Sequence, residues 1–115
     1  MKRNDLLERT FLFGVECLQF LRTLPNDSEY RLIRYQLGKS ATSLGANYEE
    51  SQAGSSKADF KNKVKISLRE ARESNYWLRI LKALHDHEDK ELDRLLSESI
   101  ELKNIFGAIV NNTKL

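Results

Sequence analysis

Apolar residues return at every third or fourth position along most of the chain, and no window alternates strictly as a half-buried strand would. The first such stretch carries two rows, Leu7, Phe11, Gly14, Leu18 and Leu21 in one and Leu6, Phe13 and Phe20 in the other. Together they predict a helix over residues 4–24 that touches more than one neighbour. Pro25 ends it, because proline disfavours helical geometry in the residue before it. Asn26 or Asp27 offers a cap for a second helix over 28–53, with Glu29 placed for a capping box from Asn26. Tyr30, Ile33, Leu37, Ala41, Leu44 and Tyr48 share one side of it. The stretch AGSS from Ala53 to Ser56 breaks the pattern, and Ser56, with Asp59 three residues on, caps a third helix over 57–85. Phe60, Val64, Ala71, Leu78 and Leu81 form its face, widened by Ile66, Trp77, Ile80 and Leu84. A fourth helix over 90–111 carries Leu92, Leu95, Leu96, Ile100, Leu102, Ile105, Phe106, Ile109 and Val110. Four amphipathic helices joined by short loops predict an all-α protein, an antiparallel up-down-up-down four-helix bundle forming one domain over residues 1–115.

The second helix has an unusual side. Gly38, Thr42, Gly45 and Ala46 lie together next to Ala41, and a glycine inside a helix costs about 1 kcal/mol relative to alanine. A second backbone packed against that stripe, within the subunit or from another copy, offsets the cost. With the doubled row on the first helix, this favours a homo-oligomer.

Composition narrows the class further. Hydrophobic residues are 40% and charged residues 31% of the 115, with a single proline, which suits a soluble helical protein. The net charge of +2 does not by itself argue for nucleic acid. One cysteine, Cys17, excludes an internal disulfide framework and a cysteine-rich zinc site, and it reads as a small core residue. No apolar run approaches the roughly 20 residues that span a bilayer, and the N-terminus lacks a signal-like apolar region. The expectation is a cytoplasmic protein with no membrane partner.

Candidate chemistry is sparse. A di-iron bundle needs Glu-x-x-His pairs, and the chain has none. The group HDHED, from His85 to Asp89, falls at the turn between the third and fourth helices, where adjacent ligands do not easily surround one ion; it reads as a solvated loop. There is no phosphate loop or dinucleotide fingerprint. The expectation is therefore no enzyme, no catalytic residue, no metal and no cofactor. Asn47 lies at the edge of the core arc, Glu49 and Glu50 follow Tyr48, and Glu70 falls inside the apolar arc of the third helix. A carboxylate there needs a partner, so Asn47, Glu49 and Glu70 are expected to form a structural polar cluster with an arginine from a neighbouring helix.

The charges are unevenly spread. Between Lys57 and Lys82 stand eight Lys or Arg and three Asp or Glu, whereas from Ala83 onward there are four basic and seven acidic residues. Lys57, Lys61, Lys65, Arg69, Arg72 and Arg79 fall within about a third of the helix circumference, with Tyr76 among them and Lys82 at the border. Such a stripe suits a phosphate backbone, each cation releasing counterions; equally, it suits a solvated face paired with the acidic fourth helix.

The stretch GANYEESQAGSSKADFKNKVKISLREARESNYWLRIL, from Gly45 to Leu81, resembles the four-helix-bundle proteins called 23S rRNA intervening-sequence proteins. ANYEE, the S-x-x-DF helix start, REARESNYWL, LPNDSEYRLIRYQL and, more weakly, ESIELKNIF carry the resemblance, which covers nearly the whole chain. It places Asn47, Tyr48, Glu49, Asp59, Phe60, Glu70, Tyr76 and Trp77 at motif positions, none of them an established catalytic residue. The resemblance implies a left-handed bundle of bacterial origin that assembles into rings, typically pentamers, with a nucleic-acid role. It also implies kinship with accessory proteins of diversity-generating retroelements, which use a similar ring to bind RNA and a reverse transcriptase. The resulting expectation is a homo-oligomer, a ring of five, that binds structured RNA or a nucleoprotein through the basic face of the third helix. The alternative is a protein-interaction scaffold or accessory subunit without direct nucleic-acid contact.

Overall fold

The protein, seen here in a computed structural model that describes residues 5–54 and 56–114, is built from four helices. These are α1 (Asp5–Leu21), α2 (Ser28–Gln52), α3 (Lys57–Leu84) and α4 (Lys90–Asn112), with no strand among the described residues. The expected helix start at Asn4 and the Ser55 of the AGSS break lie outside the described residues. Each helix packs on its sequence neighbours, and α1 also touches α4, more sparingly. Contact partners ascend on one helix as they descend on the next. Ser40 meets Ser74 while Leu44 meets Ser67, and Arg9 meets Glu98 while Glu16 meets Arg94.

The ends of the helices follow local chemistry. Ser56 Oγ accepts the Asp59 amide at 3.0 Å and starts α3 as the sequence predicts. Asp89 does the same for α4, accepting the Glu91 and Leu92 amides on one oxygen. The capping box from Asn26 does not form. Asp27 is the N-cap of α2 without a side-chain bond, and Asn26 Oδ1 instead accepts from Arg34 at 3.2 Å. Arg34 also donates to the carbonyls of Leu21 and Pro25, so one guanidinium ties off the end of α1. That end is Leu21, three residues short of the expected Leu24. Pro25 holds Leu24 out of the helical region, and the chain tightens instead into a turn closed by the Thr23 amide on the Phe20 carbonyl at 3.0 Å.

The core takes Phe13, Cys17, Phe20 and Leu21 from α1, and Ile33, Leu37, Ala41, Leu44 and Tyr48 from α2. Val64, Leu68, Ala71, Leu78 and Leu81 come from α3, and Leu92, Leu95, Leu102 and Phe106 from α4. The α1 rows turn out differently from their apparent rank. Phe13 and Phe20 of the second row are buried together with Gly14 and Leu21 of the first, whereas Phe11 (59% exposed) and Leu18 of the first face outward beside α2. Hydrophobic spacing marks both rows as apolar but does not say which of their members the neighbouring helices will cover.

The glycine stripe of α2 is filled from within the chain. A Cβ built on Gly45 would stand 3.0 Å from the Thr10 carbonyl oxygen, and one on Gly14 would stand 3.3 Å from the Ala41 oxygen. Backbone lies against backbone, so α1 is the close neighbour that the stripe requires, and the stripe alone does not call for a second copy. The α2–α3 seam is also narrow, but for a different reason: Ser40, Ser67 and Ser74 are buried there. Ser40 and Ser74 hydroxyls bond to each other at 2.8 Å, and Ser67 donates to the Leu44 carbonyl at 2.8 Å. Between α3 and α4, Asn75 donates to Ser99, which in turn donates to the Leu96 carbonyl. Among the described residues no buried side-chain polar atom lacks a partner, as a stable interior requires.

Two glycines therefore predict opposite outcomes. Gly45→Ala meets immovable backbone and should cost about 1–2 kcal/mol despite its better helix propensity. Gly107, with nothing within 4 Å of a built Cβ, should gain up to about 1 kcal/mol as Gly107→Ala. Chemical denaturation of the two variants beside the parent measures both.

Candidate nucleic-acid interface

α3 runs 28 residues without interruption because Ala, Leu, Arg, Lys and Glu dominate its outer positions and no glycine or proline enters. Its inner positions, Val64, Ser67, Leu68, Ala71, Ser74, Asn75, Leu78 and Leu81, follow the three-four step and fix its rotation. That rotation turns Lys57, Lys65, Arg69, Arg72 and Arg79 to solvent and leaves Lys61 half-buried. From Lys57 to Arg79 the stripe extends about 33 Å at 1.5 Å per residue.

The stripe is scarcely neutralised. Among the described residues no carboxylate lies within 4.0 Å of Lys57, Lys61, Lys65, Arg72 or Arg79, and Arg69, 71% exposed, has only Glu70 at 4.0 Å. Only the bordering Lys82 reaches the acidic fourth helix, at 2.8 Å from Asp93. The remaining α4 carboxylates look the other way. Glu98 and Glu101 take Arg9 of α1 at 2.6 and 3.0 Å, and Glu91 shares Arg94 with Glu16 of α1. On the side of α4 that does face α3 stands Lys103. It lines a shallow groove of about 490 Å³ with Leu68, Arg72, Asn104, Gly107 and Asn111, and so adds a cation to the stripe. Sequence reading overlooked Lys103 because it lies in an acidic segment; its helical phase toward α3 was the available signal.

Near the C-terminal end of the stripe the cations meet aromatic rings. The Arg79 guanidinium lies 5.7 Å from the centre of the Tyr76 ring, and its Nε donates to Asn75 at 3.0 Å. Tyr76, 47% exposed, packs edge-on against Trp77 at 5.2 Å, whose indole donates to Glu73. The outer face of Tyr76 is thus an accessible π-surface held by a cation and a ring.

The expected polar cluster divides. Asn47 donates to the carbonyl and hydroxyl of Ser43 at 2.9 and 3.1 Å, and the same Ser43 side chain favours the ionised form of Glu70 on α3. Glu49, two residues from Asn47, stands on the opposite flank of α2 and lines a groove with Phe11 and Val15 of α1. Among the described residues no arginine from another helix answers Glu70. Its positive neighbours are Arg69 on its own helix and Lys39 across the seam. Burial, with its side chain only 14% exposed, raises its carboxyl above the ordinary glutamate value, and Glu73 adds to this. Arg69, Lys39 and Ser43 offset the rise in part. Cys17 is enclosed in the core, and burial pushes its thiol up, which leaves it an inert packing residue. No helix among the described residues is long and apolar enough to cross a membrane.

A family model described as 23S rRNA-intervening sequence protein matches residues 2–108. A crystal structure of a protein of unknown function from the S23 ribosomal protein family, from Bacteroides thetaiotaomicron VPI-5482, is similar with a TM-score of 0.82 at 28% sequence identity. The similarity covers 92% of this chain and 98% of that one. None of the curated proteins matches.

The raised Glu70 carboxyl gives a stability prediction with a definite sign. Its folded state binds the proton more readily than its unfolded state, so ionisation at neutral pH subtracts from stability, and the loss vanishes below the ordinary glutamate range. Glu70→Gln should raise the thermal midpoint by a few degrees at pH 7, with the difference from the parent closing as pH falls below 4.5, the value from which the carboxyl is shifted. Thermal unfolding followed by circular dichroism across pH tests this.

Proposed function

The chain belongs to the 23S rRNA-intervening sequence protein family, and from that footing we propose that it is a non-enzymatic RNA-binding protein whose copies assemble side by side. The observation that carries this reading is the uncompensated stripe. A surface that evolved only for solubility has no need to keep six cations in line while the adjacent helix directs its carboxylates elsewhere. Lys61, Lys65, Arg69, Arg72 and Arg79 contact phosphates, with Lys57 at the entrance and Lys103 on the flank. Such contacts position an RNA without reading its sequence. Tyr76 offers a stacking surface to an unpaired base, which favours folded RNA with loops over a plain duplex.

Assembly uses the opposite side of the bundle. Phe11, Leu12 and Leu18 of α1 and Leu32 and Tyr35 of α2 leave large apolar surfaces exposed. A groove of about 350 Å³ runs between the two helices, lined by Phe11, Val15, Leu18, Thr42 and Ala46. Exposed apolar area of this kind marks an interaction surface. Copies joined through α1 and α2, in a ring of five as the family resemblance implies, keep every α3 stripe outward. A ring then turns several weak contacts into one strong one.

The test pairs two variants. The triple change Lys61→Glu, Lys65→Glu, Arg72→Glu should lower affinity for a structured hairpin RNA by about 100-fold or more at moderate salt and flatten the dependence of binding on salt concentration. It should leave the solution mass unchanged. Phe11→Glu with Leu18→Glu should instead reduce the solution mass to that of the 13.4 kDa subunit and weaken RNA binding through lost multivalency. Unchanged RNA affinity in the triple variant overturns the assigned face. A protein partner that persists through nuclease treatment while RNA fails to bind favours the scaffold reading.

A further inference from the structure

We propose that the turn between α3 and α4 is a binding site for a divalent transition-metal ion of the zinc class, held by His85, His87 and Asp89. The turn reads in sequence as a solvated loop, yet the fold gathers its ligands. One donor atom from each of the three side chains lies within 4.8 Å of the others. His85 Nε2 and Asp89 Oδ2 are 3.3 Å apart. Two ligands at 2.0–2.1 Å in a tetrahedral arrangement stand about 3.3 Å from each other. His85 Nε2 and Asp89 Oδ2 are thus already spaced to share an ion.

Two of the three ligands are fixed by the fold. His85 is the C-cap residue of α3, its side chain only 8% exposed, with its ring 6.3 Å from that of Phe20. Asp89 is the N-cap of α4. Its Oδ1 accepts the Glu91 and Leu92 amides at 3.1 Å, which orients the carboxylate and leaves Oδ2 turned toward His85. Ordering these groups has been accomplished by helix capping before any ion arrives, so binding forfeits little entropy there.

The third ligand is mobile enough to close and constrained enough to aim. His87 stacks on His85 with ring centres 4.8 Å apart, and its Nδ1 lies 3.0 Å from Asp86 Oδ1. A carboxylate on one ring nitrogen selects the tautomer that offers the other nitrogen to a metal. Asp86 is therefore a positioning residue and His87 Nε2 the donor. The three side chains bring donor atoms within 4.8 Å of one another, and the closure to tetrahedral spacing of about 3.3 Å is within reach of the exposed His87 ring. Two imidazoles and one carboxylate suit zinc, cobalt or nickel better than calcium or magnesium, which take oxygen donors. A fourth position stays open to water. An ion here joins the end of α3 to the start of α4 and clips the hairpin that carries the basic stripe.

The experiment uses the full, untagged chain, stripped with chelator and titrated with zinc chloride by calorimetry and with cobalt chloride by visible absorption. Expected are one ion per chain at micromolar affinity, tetrahedral cobalt bands without a thiolate charge-transfer band, and a higher thermal midpoint with zinc. His87→Ala, whose exposed ring leaves the fold intact, should lose affinity at least 10-fold and lose the zinc-dependent stabilisation, while its metal-free circular dichroism matches the parent. Asp86→Asn should weaken binding less than His87→Ala does. Absence of saturable zinc binding below millimolar concentration, or equal affinity in parent and His87→Ala, overturns the site. RNA binding enters neither readout.

Discussion

Everything in this bundle depends on how closely α2 is approached from both flanks. On one side Gly14 and Gly45 let the backbones of α1 and α2 meet, with the Thr10 carbonyl where a side chain would otherwise stand. On the other, Ser40, Ser67 and Ser74 keep α3 close while giving each hydroxyl a partner. A hydrogen bond of this kind contributes only about 1 kcal/mol net, but an unpaired buried hydroxyl costs more. The serines therefore act chiefly on register: a slipped α3 would separate Ser40 from Ser74 and Ser67 from the Leu44 carbonyl, and the core would lose its polar balance.

Because α2 is engaged on both sides, the bundle closes through the seam between α1 and α4, and that seam is electrostatic. Arg9 grips Glu98 with two nitrogens and reaches Glu101, while Arg94 bridges Glu91 and Glu16. Both guanidiniums are pushed further up by these carboxylates, the bonds to Glu98 and Glu91 contributing most. Partly exposed pairs of this sort add little stability one by one. Their larger consequence is directional. By turning α4 so that Glu91, Glu98 and Glu101 face α1, they withdraw those three acids from α3 and leave its stripe uncovered apart from the bordering Lys82, which pairs with Asp93. The overall charge of +2 conceals this arrangement; the fold reveals it by separating acids and bases onto different seams.

The two sides of the molecule then differ in chemistry. The α1–α2 side shows phenylalanine, leucine and tyrosine; the α3–α4 side shows lysine and arginine, with Tyr76 among them. An apolar side suited to like copies and a basic side suited to a polyanion do not compete for the same surface. At one end, the turn from His85 to Asp89 adds a third kind of surface, rich in nitrogen and oxygen donors.

The sequence by itself determined the number of helices, most of their limits and most of the buried faces of α2, α3 and α4, although Leu84 and Ile100, read as part of those faces, are exposed; a 3.6-residue repeat is a local property that any reader of Leu37, Leu44, Leu78 or Leu102 can follow. It also placed the six cations of α3 on one face, for the same reason. Only the tertiary structure decided which apolar residues of α1 turned inward, that Glu49 parted from Asn47 and Glu70, that α4 aimed Glu91, Glu98 and Glu101 away from α3, and that Lys103 joined the stripe. It alone brought His85 within 3.3 Å of Asp89. Each of these outcomes depends on how one helix is rotated against another. That rotation is set by which small side chains allow close approach and which charges find partners, and no repeat within a single helix records it.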